Sequence, residues 1–213
     1  MMTNTDSINK PQQARSQRSM TRMLDAAEAL LEEKSWSELT IQDVVSRAGT
    51  SVGSFYGRFK DKDGLLHALD ERFFVIMIEM IEAAVAQPDW ESMTLAATLT
   101  RLAQLTVELH SQKQGLLRTL ILQARLVNDP RFREREARLN SHIPSLLALV
   151  LAHRDEIRHA APETAVQFGL LQMFYTAREM LLWPHLAESM PYQDEALVQA
   201  LARAYLGYLC VES

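Results

Sequence analysis

Turn-forming residues are scarce in this chain, and this scarcity constrains its fold more than any other feature. Seven glycines and seven prolines occur in 213 residues, together about 7%, whereas an average chain carries roughly 12%. Sandwiches, barrels and propellers need a turn about every 8–12 residues. Because turns are few and apolar residues recur with helical spacing, with no strand pattern or internal repeat, we expect an all-α fold.

Capping residues and prolines divide the chain into about nine predicted helices. Asp61 and Asp89 are of the type that begins a helix, and so are the prolines at positions 130, 162 and 191. The predicted helices cover, in order, residues 16–34, 40–48, 52–59, 61–87, 89–112, 115–127, 129–158, 162–184 and 191–211.

Charge is distributed unevenly along the chain. The whole chain carries a net charge of -5, which by itself does not suggest nucleic acid. Residues 1–22, in contrast, hold four basic groups against one acidic group. We therefore expect any anionic partner to bind at the N-terminal end.

Cysteine usage and hydropathy favour a soluble intracellular protein. Cys210 is the only cysteine, which excludes an intrachain disulfide and a thiolate metal cluster. Residues 1–22 are polar and do not resemble a signal peptide. The longest apolar run, residues 146–152, is far shorter than the roughly 18 residues of a membrane span. We expect no contact with a membrane.

Residues 40–66 have the pattern of a helix-turn-helix. Thr40 can cap the first short helix through the backbone N–H of Asp43, and Gly49 can supply the positive φ of a tight turn. The second short helix would then enter the major groove of DNA. Its predicted core residues are Phe55 and Phe59, and its outer face would carry mainly small side chains, which allow close approach to a groove.

These residues resemble the TetR family of bacterial transcriptional repressors. The shared pattern is a helix begun by Thr40, an Ala48-Gly49 turn, Ser54-Phe55-Tyr56 after a glycine, then Phe59, Lys62 and Leu65. The polar N-terminal residues, 1–15, are expected to form a flexible arm. The resemblance implies a three-helix DNA-binding domain at residues 16–60. It further implies a six-helix ligand-binding and dimerisation domain at residues 61–213.

The resemblance also implies roles for individual residues. Thr40, Tyr56 and Lys62 would contact phosphates, Gln42 a base or the backbone, and Val52 with Gly53 the edges of bases. Thr50 replaces a commoner valine, and Gly57-Arg58 replaces an aromatic-His pair, so Arg58 could contact either a guanine or a phosphate. The candidate DNA-contacting residues are Thr40, Gln42, Thr50, Ser51, Val52, Gly53, Ser54, Tyr56, Arg58, Lys60 and Lys62.

Two basic stripes admit more than one interpretation. Arg15, Arg18 and Arg22 share one face of a helix and could either track phosphates or form a solvated face. The arginines between positions 131 and 138 alternate with glutamates, including a favourable Glu134–Arg138 pair. This pattern favours a solvated helix face over a second basic patch.

The alternative functions are a helical interaction module without DNA binding and a helical-bundle metalloenzyme. A di-iron bundle needs two Glu-x-x-His motifs and two further glutamates. Only Glu156 and His159 match this motif, and no phosphate-binding glycine loop or nucleophile motif occurs. We therefore expect no enzyme activity, no metal site and no cofactor.

The resemblance implies a homodimer formed by the last two long helices. Small residues on the final helix would allow close packing against aromatic and apolar residues of its neighbour. The candidate dimerisation residues are Phe168, Leu171, Tyr175, Ala200, Ala204 and Gly207.

A pocket of a few hundred Å³ is expected inside the body, because flexible and aromatic side chains recur on its helices. Its candidate residues are Met77, Met80, Gln104, His110, Gln123, Gln172, Met173 and Tyr175. Together these expectations describe a cytoplasmic repressor that binds a palindromic operator in double-stranded DNA. A small, mainly apolar effector would release it from the operator.

Overall fold

The computed structural model describes residues 10–127, 129–183, 185 and 194–211, with the side chains of residues 10–15 and 194 excepted. Within these ranges it contains ten α-helices, two short 3-10 helices and no strand. The α-helices are α1 Lys10–Leu31, α2 Ile41–Arg47, α3 Val52–Tyr56, α4 Lys62–Val85, α5 Leu95–Ser111, α6 Gln114–Leu126, α7 Pro130–Asn140, α8 Ile143–Leu151, α9 Pro162–Leu182 and α10 Asp194–Cys210. The 3-10 helices are Pro88–Ser92 and Arg154–Glu156.

The all-α class and the layout of about nine helices are confirmed, with one predicted helix divided in two. The helix predicted at residues 129–158 is interrupted between Asn140 and Ile143, because Pro144 lies in the first turn of α8, where its missing N–H breaks no helical bond. α5 begins at Leu95 rather than at residue 89, since Thr94 caps it through the N–H of Ala97.

One further helix boundary differs from the prediction, and two cannot be compared with it. α1 begins at Lys10, inside the range expected to be an arm, and residues 1–9 lie outside the described residues. The proposed start of the last helix at residue 191 and the proposed end of its predecessor at residue 184 also lie outside them.

The helices bury two apolar cores. The first core joins the head, α1–α3, to α4 and α6 and includes Met23, Phe55, Leu65 and Leu116, each almost inaccessible to solvent. The second core lies among α5, α8, α9 and α10. Because the first core crosses residues 60 and 61, the head shares its interior with the body, α4–α10. The domain boundary at this position stays a prediction.

α9 and α10 pack closely at Gly169. A Cβ atom at this position would overlap the ring of Tyr205, so only glycine fits. The Tyr205 hydroxyl donates a hydrogen bond to the carbonyl of Val166 one turn earlier on α9. Burial raises the pKa of this phenol above its ordinary value, which keeps the hydroxyl protonated as a donor.

The head is attached to the body where α1 meets α6. Gly115 lies against the end of α1, and a Cβ atom there would overlap the carbonyl group of Leu31. The Glu32 carboxylate accepts hydrogen bonds from the N–H of Gly115 at 2.9 and 3.0 Å, and thereby caps α6. Close by, the buried carboxylate of Glu28 accepts from Arg72 of α4 and from Lys113.

A charged network joins α4 to α7. Arg135 and Asp70 form an ion pair that is buried on both sides. Arg138 bonds Glu71 at 3.0 Å, and His67 bonds Asp129 at 3.0 Å. The prediction of a wholly solvated arginine face on this helix is therefore wrong at Arg135, whose side chain points at α4.

None of the helices within the described ranges is both long and apolar enough to cross a membrane.

Candidate nucleic-acid interface

The start of α2 is fixed by the cap that the sequence predicts. The Thr40 hydroxyl accepts from the N–H of Asp43 at 3.1 Å, and the Asp43 carboxylate accepts from the N–H of Thr40 at 2.9 Å. The hydrogen bonds that the Asp43 carboxylate accepts from the N–H and the hydroxyl of Thr40, with help from Lys34, lower the pKa of Asp43. Gln42 lies beside this cap on the exposed side of α2.

The turn between α2 and α3 places Gly49 at φ 59°, as predicted from its sequence. Thr50 follows it with a buried hydroxyl, for which the described residues provide no hydrogen-bond partner. The Thr50 hydroxyl lies at an interior position, where the family that this sequence resembles more often has valine. The Thr50 hydroxyl is therefore not available for a contact with DNA.

Replacing Thr50 or Thr40 with valine should change the stability of the chain in opposite directions. Thr50→Val should stabilise the chain by about 1 kcal/mol, because a buried hydroxyl without a partner is replaced by a methyl group. Thr40→Val should destabilise it by about 1 kcal/mol, because the cap of α2 is lost. Denaturant unfolding of both variants measures the difference. Equal shifts would contradict the placement of the two hydroxyl groups.

α3 presents an accessible outer face and one anchored inner residue. Phe55 is 0% exposed and contacts the ring of Phe59, at 5.1 Å between ring centroids. Val52 and Tyr56, by contrast, are 41% and 56% exposed. The rest of the outer face is small and exposed: Ser51, Gly53 and Ser54. The helix is shorter than predicted, since it ends at Tyr56, and Phe59 is held by its N–H bond to the carbonyl of Phe55.

Basic side chains surround this face without acidic partners. Arg18, Arg22 and Lys60 are exposed, and none of them pairs with a carboxylate among the described residues. Arg22 lies at the turn, 3.9 Å from the position that a Cβ of Gly49 would take. Arg58 donates only to backbone carbonyls, of Ser16 at 3.3 Å and Gly57 at 3.2 Å. These four cations remain available to an anion.

Other cations near the head are already neutralised. Lys34 pairs with Asp43 at 3.2 Å, Arg47 with Glu33 at 2.7 Å, and Arg72 with Asp25 at 2.6 Å. The contrast concentrates positive charge at the helix-turn-helix of a chain that is acidic as a whole.

Lys62 begins α4, and its ammonium already has partners within the chain. Its ammonium donates to the carbonyl of Trp36 and lies 4.4 Å from the centre of the Trp36 ring. Partial burial lowers the pKa of Lys62. The side chain holds the loop between α1 and α2 against α4, and no sequence pattern indicates this partner. Lys62 is therefore not one of the free cations around α3.

The body contains two adjoining cavities of about 220 and about 230 Å³. The first lies among α4, α5, α7, α8 and α9, and the second among α4, α5, α6, α7 and α9. They share five lining residues: Met77, Glu136, Leu139, Phe174 and Arg178. The volume agrees with the expected pocket of a few hundred Å³.

The structure brings three of the eight candidate pocket residues to these cavities. Met77 lines both cavities, Tyr175 the first and His110 the second. His110 is buried, and burial lowers its pKa. Its Nδ1 lies 2.7 Å from the carbonyl oxygen of Thr106, which can only accept, so Nδ1 carries the proton and Nε2 is an acceptor.

The other five candidates point elsewhere, because helical spacing places them on other faces. Met80 and Met173 pack in the two apolar cores, and Gln172 is exposed. Gln104 borders an open groove against α10, and Gln123 another beside the loop after α1. Sequence spacing alone missed Phe174 and Arg178, which line both cavities.

Five of the six candidate dimerisation residues are exposed on α9 and α10. Phe168, Leu171 and Tyr175 form an exposed apolar stripe along α9. Beside it, Ala204 and Gly207 are exposed, and nothing lies within 4 Å of the position of a Gly207 Cβ. Ala200 is half-buried.

Glu156 and His159 each bond to other partners. The Glu156 carboxylate accepts from the N–H of Leu95 at 3.2 Å and contacts His153, whereas Nδ1 of His159 accepts from the N–H of Ala161. Among the described side chains, no group of three or more His, Cys, Asp or Glu is arranged to hold a metal ion.

Comparison with known proteins gives a consistent result. The sequence model of the bacterial regulatory proteins of the tetR family matches residues 23–69. No curated protein matches the chain. Among solved structures, a tetR-family regulatory protein from Rhodococcus RHA1 has a TM-score of 0.70 at 15% identity and covers 92% of this chain and 98% of its own.

Two further structures share the fold. The TetR-family regulator PfmR from Thermus thermophilus has a TM-score of 0.64 at 18% identity, over 87% of this chain and 97% of its own. The regulator FadR from Bacillus subtilis, solved with stearoyl-CoA, has a TM-score of 0.58 at 18% identity, also over 87% and 97%.

The matched residues 23–69 run from α1 into α4 and contain the entire helix-turn-helix. The solved structures add the arrangement of the body. The chain therefore has the TetR fold, and its N-terminal helix-turn-helix matches the sequence model of the tetR family of bacterial regulatory proteins.

Proposed function

We propose that this protein is a ligand-responsive repressor that binds a palindromic operator through α3. The observation that carries the proposal is the accessible outer face of α3, surrounded by Arg18, Arg22, Arg58 and Lys60 without acidic partners. Cations of this kind contact phosphates and fix the position of a protein on DNA, whereas side chains on the recognition helix read base edges. Binding to DNA would place the protein in the cytoplasm, on the nucleoid.

The small residues of α3 support recognition in the groove. Gly53 and Ser54 leave little bulk between the helix and a base pair, and Val52 can contact the methyl group of thymine. The Tyr56 hydroxyl has no partner among the described residues, and it can donate to a phosphate. Gln42, exposed on α2, is the remaining candidate for a contact to a base or the backbone.

A homodimer would present two such helices to successive major grooves, about 34 Å apart. The exposed stripe of Phe168, Leu171 and Tyr175 supports this assembly, because large apolar patches on a soluble protein mark interaction sites. Ala204 and Gly207 on the neighbouring helix would allow a second copy to approach closely. Two helices from each protomer would form a four-helix bundle.

The ligand would occupy the two cavities and act on the head through α4. α7 links them: its residues Glu136 and Leu139 line the cavities, while Arg135 and Arg138 bond α4. A ligand that moves α7 would therefore shift α4 and change the distance between the two heads. The effect requires the ligand to favour one spacing over the other.

The experiment begins with selection of genomic fragments by the purified protein, followed by sequencing. Affinity for a recovered duplex is then measured as salt is raised, for the native chain and for Lys60→Gln. Each lost phosphate contact should reduce the salt slope by about one unit per half-site. Arg154→Gln, an exposed change far from the head, serves as the control. A monomer by light scattering, or affinity independent of salt, would contradict the proposal.

A further inference from the structure

Arg178 is a largely buried cation in the wall that the two body cavities share. Its side chain is 13% exposed, and both cavities are lined by it. The guanidinium lies 4.5 Å from the centre of the Tyr175 ring, which fixes its plane beside the cavity. Phe174 and Met77 form the apolar wall next to it.

The guanidinium is only partly satisfied. Nε and Nη2 both donate to the same oxygen of Glu179, at 3.2 and 2.8 Å. Nη1 donates to no atom of the described residues, although the nitrogen carries two N–H groups. The Glu179 side chain is substantially exposed, so solvent screens its charge. A largely buried cation with an unpaired donor gains from a second anion, since most of its hydration is already lost.

Taken together, the other charged groups around the second cavity do not repel an anion. Asp70 is neutralised by Arg135, which leaves Glu136 against Arg125 and Arg178. Glu136 is exposed to solvent, and water screens its charge more effectively than that of Arg178. With Glu179 included, the two glutamates balance Arg125 and Arg178, so no net negative charge opposes an anion next to the apolar wall.

We propose that the ligand is an apolar molecule with a single carboxylate, which accepts hydrogen bonds from Nη1 of Arg178 while its apolar part fills the two cavities. This inference rests on the proposed function, because it names the chemical class of the ligand of that same site. A combined volume built from about 220 and about 230 Å³ suits a small amphiphile. Guanidinium and carboxylate make one of the strongest hydrogen-bonded pairs in proteins.

The test uses the full chain and three probes with the same alkyl length: octanoate, octanol and octylammonium. Isothermal titration calorimetry should give tightest binding for octanoate. Arg178→Gln should weaken octanoate about ten- to a hundredfold, the effect of losing a charged hydrogen bond, and leave octanol unchanged. Glu179→Gln is the matched control, since it removes the competing acceptor and should leave octanoate binding equal or tighter. Met77→Trp should block all three probes by filling the shared wall.

Equal binding of octanol and octanoate to the native chain would overturn the inference. So would an equal loss of both probes in Arg178→Gln, tightest binding of octylammonium, or no binding of any probe. Operator affinity, measured with each probe, separates the two proposals. If octanol binds like octanoate and releases DNA, the ligand response stands and the carboxylate assignment fails. If octanoate binds through Arg178 and operator affinity is unchanged, the assignment stands and the ligand response fails.

Discussion

Val52→Glu should abolish operator binding while leaving the fold intact. Val52 is the first residue of α3 and is 41% exposed, so a longer side chain meets no packing constraint. A carboxylate in the first turn of a helix is favoured by the helix dipole, and the head should therefore be as stable as before. In a groove, the same carboxylate would face phosphates and the acceptor atoms of bases.

Val52→Gln is the matched control, since glutamine has the shape of glutamate without its charge. Fluorescence anisotropy at one fixed salt concentration should show the Glu variant binding at least about a hundredfold more weakly than the Gln variant. This ratio reflects the several kcal/mol by which like charges oppose association. Thermal unfolding of the two variants should coincide. If both variants bind the operator equally, α3 does not enter the groove.

Much of the head could be predicted from the sequence, because its determinants are local. The cap at Thr40, the positive φ of Gly49 and the burial of Phe55 each depend on residues within one or two turns. Such short-range patterns specify a helix-turn-helix regardless of what packs behind it. The outer face of α3 follows directly, since it comprises the positions left over once the core side has been assigned.

Individual contacts within the same motif could not be predicted, because their partners lie far along the chain. Lys62 bonds the carbonyl of Trp36, 26 positions away, and no spacing rule connects the two. Glu32 caps α6 at Gly115, a contact that depends on how the head docks. Thr50 is the exception, since its place in a commonly apolar turn position was a local indication that its hydroxyl is buried.

The residues that line the pocket were even harder to predict from the sequence. Apolar periodicity predicted that the body helices would have interior faces, but not which face would border a gap rather than a core. Met77 and Met173 have equivalent side chains, and only the first lines a cavity. Arg178 was not predicted to be in the wall, because an arginine on a helix usually faces solvent.

The ion pair between Asp70 and Arg135 should give the largest stability effect of any single contact described in the body. Asp70→Leu leaves the guanidinium buried without a counter-charge and should cost about 3–5 kcal/mol of unfolding free energy. Asp70→Leu with Arg135→Met removes both charges and should restore the native stability or exceed it by about 1–4 kcal/mol. Urea unfolding of the native chain, both single variants and the double variant completes the cycle.

The pH dependence of stability gives the pair a second signature. Burial raises the pKa of the Asp70 carboxyl to about 6, against the opposing effect of Arg135. The native chain therefore retains this proton between about pH 4 and pH 6, where the unfolded chain has released it. Stability due to Asp70 must fall as the pH rises through this window. The double variant lacks the Asp70 carboxyl and should therefore lack this fall.

Loss of the ion pair between Asp70 and Arg135 should also weaken the effect of a ligand on operator affinity, while operator affinity without ligand stays close to native. Arg135 and Glu136 are neighbours on α7, one bonded to α4 and the other facing the cavities, so α7 transmits motion only while it is attached to α4. In the double variant the apolar replacements pack against each other without a directional bond, and the polar links that remain are Arg138 with Glu71 and His67 with Asp129. Operator affinity should stay within about threefold of native, while the change in affinity caused by a cavity-binding probe should shrink several-fold; typical coupling energies are about 1–3 kcal/mol. An undiminished response would show that the signal reaches α4 by another route, such as the attachment of α6 to α1 through Glu32.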